Sequence, residues 1–238
     1  MATVKALSFD CYGTLVDWET GILESFRAAW SDDARPSDED LLEHFASHES
    51  RLEAQIPILP YVDVLRGVIR AVADDFSLDL NDAGADAFAA SIADWPLYAD
   101  TLPALEKLSE KYHLVILSNV DKVSFAGTQT RLSHLINAAL IAEETGAYKP
   151  SPDAFIALTN HMQSQGVAKD EILHVAQSLY HDHAPAKEAG IVSCWVDRRA
   201  DVDGWGAVIA PEGEVQPPHR IRSLNELPEV IATIDGTA

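Results

Sequence analysis

The chain has 238 residues, 47% of them hydrophobic and 23% charged, and a formal net charge of −21. That composition excludes a disordered chain, and the length allows one sizeable core or a core with a small accessory domain. The charge argues against nucleic acid or an anionic membrane as partner, because both reward clustered Lys and Arg. No stretch approaches the roughly 18–20 apolar residues needed to span a bilayer, and Met1 to Asp10 is too short before its first acid for a secretory signal to be expected there. Two cysteines, Cys11 and Cys194, cannot build a disulfide framework, so a reducing cytoplasm is the expected setting.

In chain order, residues 4–9 read as a buried strand ending at Asp10, followed by Gly13, where a tight turn is permitted. Residues 17–96 carry helical signals without strong strand signals. Ser37 and three acids open one helix, with Leu41, Leu42, Phe45 and Leu52 at near-helical spacing. Leu65, Val68, Ile69 and Val72 mark another. From residue 97 onward, short apolar runs alternate with helices. Strands are expected at 114–117, within 135–142, at 172–177 and at 191–196. Thr101 is placed to cap one helix, and Ser151 caps another that has Pro152 at its first position. This alternation predicts an α/β fold, a doubly wound parallel sheet of residues 1–16 and 97–238 carrying a helical insertion at 17–96.

Ligands of open α/β sheets bind beyond the carboxyl ends of the strands. Those ends supply Asp10 and Thr14, then Ser118, Asn119 and Asp121, then Lys149, then Gln177, Ser178, His181 and Asp182. Singly, each is an ordinary cap, turn or surface residue. Together they offer a nucleophile, hydroxyl and amide donors, a cation and a second acid.

"FDCYGT", "LSN", "YKP" and the "HD" after the fourth strand resemble, in this order, the four motifs of the haloacid dehalogenase superfamily. The resemblance covers nearly the whole chain and implies a Rossmann-like core, a small helical cap and Asp10 as nucleophile. Phosphatases of the superfamily carry a second aspartate two residues after the nucleophile, as general acid and base. Here that position is Tyr12, whose unperturbed pKa of about 10 makes it a poor base near neutrality. A departing halide needs no proton. The "D-x-Y-G-T" form accordingly resembles the 2-haloacid dehalogenase branch.

The resemblance implies covalent catalysis on a small anionic 2-haloalkanoate, giving a 2-hydroxy acid through an ester to Asp10. Lys149 would hold Asp10 ionised, Thr14 and Ser118 would position carboxylates, and Asn119 would receive the halide. Asp182 would orient or activate the water, with Ser178 and His181 beside it. No cofactor or metal is expected; Mg²⁺ enters only under the alternative, a phosphatase of the same fold. A homodimer is common in the family. The sequence departs from the pattern at Phe155, where a tyrosine is usual, and in "AQSLYHDH", which is one residue longer than expected. Arg51, with His48 one turn earlier, is the candidate for the cap arginine that receives substrate carboxylate or halide.

Overall fold

The computed structural model describes residues 3–30, 35–55 and 58–237. Six parallel strands form one sheet: β1 (Ala6–Phe9), β2 (His113–Ser118), β3 (Ala138–Ile141), β4 (Ile172–Ala176), β5 (Val192–Val196) and β6 (His219–Ile221). Their order is β3-β2-β1-β4-β5-β6. The expected runs at 4–9, 135–142, 172–177 and 191–196 each contain a strand, and 114–117 lies within β2. β6 was not anticipated, because three residues of mixed polarity at an edge carry no periodic signal.

Four helices follow β1 within residues 17–96: α1 (Trp18–Ala29), α2 (Asp38–Glu53), α3 (Tyr61–Phe76) and α4 (Asp82–Ser91). They are the helical cap. Ser37 caps α2 by accepting from the Asp40 amide, with Asp38, Glu39 and Asp40 in the first turn to match the helix dipole. Leu41, Leu42, Phe45 and Leu52 of α2 and Val64, Leu65, Val68, Ile69 and Val72 of α3 belong to one buried cluster that continues into Leu7, Phe9 and Leu114 of the sheet. Cap and core therefore share a hydrophobic interior. Among the described residues no helix is long and apolar enough to cross a membrane.

The sheet is flanked by α5 (Thr101–Ser109), α6 (Lys122–Leu132), the single turn α7 (Ala142–Thr145), α8 (Pro152–Ser164), α9 (Ala184–Ala189) and α10 (Leu227–Asp235). Ser151 caps α8 as expected, with Pro152 at the first position. Thr101 is not the cap of α5. It is the first helical residue, and its hydroxyl donates to the Leu15 carbonyl at 2.7 Å, tying the helix to the chain leaving β1. Because β2 and β4 flank β1 on opposite sides, their connections diverge there, and a crevice opens beyond the carboxyl ends of β1 and β4.

Candidate active site

Asp10 follows β1 directly, and its amide donates to Val175 O of β4 at 3.0 Å. One carboxylate oxygen accepts from Lys149 Nζ at 2.8 Å and the other from Thr14 Oγ1 at 2.7 Å. Gly13, at φ +91°, makes the turn that returns Thr14 toward Asp10. Thr14 Oγ1 also accepts from the Gln177 amide at 2.9 Å, joining the two strand ends.

Lys149 is 3% exposed, and its ammonium reaches three oxygens: Asp10 Oδ1, Asp182 Oδ1 at 2.7 Å and Leu117 O at 3.0 Å. Three donors meet three acceptors, so its donating capacity is used up. Asp182 Oδ1 also pairs with His174 Nε2 at 3.0 Å, and His174 Nδ1 pairs with Ser8 Oγ at 3.0 Å. Ser8 and His174 are register partners on β1 and β4, so the sheet itself supports Asp182. Its second oxygen, Oδ2, is buried without a hydrogen-bond partner.

Burial pushes the Asp10 carboxyl above its ordinary value, against the pull of Lys149. Burial acts on Asp182 the same way, but Lys149 and His174 hold it well below the carboxylate range. Lys149, opposed by burial, is held above its ordinary value by both acids and stays an ammonium. The three form a buried pair of acids around one cation.

Asn119 frames Lys149 from the end of β2. Its Oδ1 accepts from the Lys149 amide at 2.7 Å, and its Nδ2 donates to Lys149 O at 2.9 Å and to Glu53 Oε2 at 3.1 Å. Ser118 lines the same cavity. After β4, Ser178 accepts from the His181 amide at 3.0 Å and opens a wide helical turn that delivers Asp182. Burial pushes His181 down to about 4, so it is a neutral imidazole near neutrality. Tyr12 also lines the cavity, but its hydroxyl points to Thr128 Oγ1 at 3.2 Å and to Ser124 O, both on α6. Burial raises it far above the ordinary tyrosine range.

The cavity encloses about 420 Å³ counting its open mouth. Asp10, Tyr12, Ser118, Asn119, Lys149, Ser178, His181 and Asp182 all line it. Thr14 stands directly behind Asp10.

Arg51 is a correction. It is exposed on the outer side of α2, where Nη2 lies 3.3 Å from His48 Nδ1, and it does not line the cavity. His48 in turn pairs with Asp75 at 2.6 Å on the same outer face. The inward positions of α2 belong instead to Glu49 and Glu53, both buried and both lining the cavity, with Tyr61 of α3 donating to Glu49. These acids were readable. Residues 42, 45, 49 and 52 follow the helical stripe already marked by Leu41, Leu42, Phe45 and Leu52, whereas residue 51 falls off it.

The site is thus a helix-capped parallel sheet with a buried aspartate and lysine paired at the strand ends. The family model "haloacid dehalogenase-like hydrolase" matches residues 4–190, and the chain belongs to that family. No curated protein sequence matches it. Among solved structures it is similar to the L-2-haloacid dehalogenase from Xanthobacter autotrophicus, at 19% identity and TM-score 0.81 over 97% of this chain and 99% of that one. The same enzyme with chloropropionic acid covalently bound gives 0.80 at 19% identity, over 96% and 98% of the two chains. A magnesium-bound HAD-type hydrolase from Bacillus subtilis gives 0.76 at 17% identity, over 97% and 99%.

Proposed function

We propose that the protein is a hydrolytic dehalogenase converting short 2-haloalkanoic acids to 2-hydroxy acids. Asp10 attacks the halogen-bearing carbon from the side opposite the halogen. The carbon–oxygen bond forms as the carbon–halogen bond breaks, and the electron pair leaves with the halide. Water then attacks the carboxyl carbon of the ester, releasing the 2-hydroxy acid and a proton and restoring Asp10. Lys149 keeps Asp10 placed, and Thr14 fixes its other oxygen. Asp182, with one buried oxygen unspent, is the residue suited to orient the water.

The carrying observation is Tyr12. At the position where an alkoxide leaving group would need an acid, the chain has a phenol turned toward α6. A halide requires only a partly dry site with donors. The covalent chloropropionic acid adduct of the Xanthobacter enzyme, a similar fold, agrees with this chemistry.

The alternative, a Mg²⁺-dependent phosphatase, finds a poor donor set here. The chain neighbours of Asp182 are His181 and His183, which offer nitrogen to an oxygen-seeking ion where a second acid would suit it better. The test is halide release from chloroacetate and from each enantiomer of 2-chloropropionate, with EDTA present and Asp10→Asn as control. Metal-independent halide that vanishes in the control supports the dehalogenase. Phosphate release from a generic ester only with Mg²⁺ selects the alternative.

A further inference from the structure

Among the described residues Lys149 is the only Lys or Arg side chain lining the cavity, and its three donors are already spent. Arg131 is bound to Trp95 O, and Arg198 to Thr14 O and Asp100. Facing the cavity are four carboxyls: Asp10 and Asp182 from the core, Glu49 and Glu53 from the cap. With all four ionised against one ammonium, a carboxylate substrate would enter a buried site against uncompensated charge of its own sign. The haloacid reading, on which this inference rests, therefore needs a donor that the cations do not provide.

We propose that Glu53, backed by Glu49, is the specificity-determining pair of this site: carrying a proton, it donates to the anionic end of the substrate. The geometry places it for this. Asn119 Nδ2 donates to Glu53 Oε2, which orients the carboxyl, and Tyr61 fixes Glu49 through Oε1. Among the described residues Glu53 Oε1 and Glu49 Oε2 have no hydrogen-bond partner. Facing the pair are Asp10 beyond β1, Tyr61 of α3, Asn119 beyond β2, Tyr148 and Lys149 before α8, and His181 and Asp182 beyond β4. His181 Nε2 lies 3.8 Å from Glu53 Oε2. Burial lifts Glu49 to about 8, and burial with the neighbouring Glu49 lifts Glu53 well above its ordinary value. Both shifts favour the carboxylic acid, the form able to donate, and a bound anion favours that form further.

The consequence is linked protonation. An anionic substrate enters with the proton in place, and its affinity falls as the pair ionises. The KM for 2-chloropropionate should rise above pH 8, approaching about tenfold per pH unit, while kcat changes little and the KM for neutral 2-chloropropionamide stays level. The Glu49→Gln, Glu53→Gln double variant keeps donors at every pH, so its KM for the acid should lose the dependence. An amide preferred at pH 7, with a pH-independent KM for the acid, would mean that the pair acts as an ionised acceptor and would overturn the proposal. If neither compound releases halide, the dehalogenase reading falls separately. Calorimetry of propionate binding to the unmodified protein at pH 9, in two buffers of different ionisation enthalpy, then decides. Proton uptake on binding supports the pair as donor, and binding without uptake, or no binding at any pH, removes it.

Discussion

Lys149 Nζ donates to Asp10 Oδ1 at 2.8 Å across 139 residues of chain, with the lysine 3% exposed. Neither end is wet, so the pair is not a surface ion pair of marginal value. Its worth lies in what is stranded when it is broken. Lys149→Met fills much the same space but leaves Asp10 and Asp182 buried without their cation. The expected result is a loss of halide release of about 10²–10³-fold and of stability of about 3–5 kcal/mol. Steady-state kinetics and urea unfolding measure the two. A variant near wild type in both would remove Lys149 from the mechanism.

Asp182 tests the second half of the reaction separately from the first. Its Oδ1 holds Lys149 and His174, while Oδ2 has no partner and, in the proposed mechanism, is the oxygen that engages water. Asp182→Asn preserves the shape and an acceptor for Lys149 but removes the charge. Alkylation of Asp10 should continue while hydrolysis of the ester slows. Intact-mass analysis after incubation with chloroacetate should then show a stable adduct, and one equivalent of halide should be released in a burst. Rapid turnover without adduct would place water activation elsewhere. Loss of both burst and adduct would assign Asp182 to holding Lys149 for the first step.

The sheet and the core site were legible because parallel strands buried on both faces leave continuous apolar runs, and α/β sheets put function where those runs stop. Asp10, Ser118, Asn119, Lys149, Ser178 and Asp182 were found by looking there. The cap was harder. Its helices showed as helices, but which face of α2 meets the cavity depends on how it packs, and a basic residue was sought where two acids lie. Arg51 suited the resemblance; Glu49 and Glu53, on the stripe with Phe45, suited the periodicity, and the periodicity was the better guide. His174 was hidden for a different reason. Inside a strand it reads as one polar interruption of an apolar run, and only the register opposite Ser8 shows it reaching Asp182.

How the cap seats on the core is open to a direct test at Gly127. This glycine lies on α6 against the short turn at Ile92–Asp94 that ends the cap, and a Cβ there would come within 2.3 Å of Ala93 O. Backbone cannot swing aside as a side-chain tip can. Arg131, one turn later, bonds Trp95 O at 2.7 Å and holds the same junction closed. Gly127→Ala should cost about 1–3 kcal/mol in chemical denaturation. Gly146→Ala is the comparison, since its Cβ would meet nothing within 4 Å and only its φ of +75° resists; about 1 kcal/mol is expected there. Equal losses at the two sites would mean that the close approach at Gly127 does not hold the cap.

His183 connects the site loop to stability in acid. It is 1% exposed, with Nε2 at 2.9 Å from Ala176 O and Nδ1 at 2.8 Å from Ser193 Oγ. A carbonyl can only accept, so Nε2 carries the proton and Nδ1 accepts from the serine: a neutral ring, fully satisfied. Burial pushes its pKa down to about 4. In the unfolded chain an ordinary histidine titrates near 6.5, so between about pH 6.5 and 4 the unfolded state binds a proton that the folded state refuses. Stability is therefore fully present above that window and is lost as pH falls through it, by up to about 1.4 kcal/mol per pH unit for this one group. His181, down to about 4 for the same reason, acts in the same direction, while Glu49, raised by burial, acts oppositely between its ordinary range and about 8. The clean measurement is thus a difference. Urea unfolding of wild type and His183→Gln at half-unit steps from pH 7.5 to 4.5 should show the variant less stable at neutrality, with the gap narrowing by about one titrating group as pH falls. Parallel curves would mean that the ring takes up a proton in the folded state, and that the loop carrying Asp182 opens to let it.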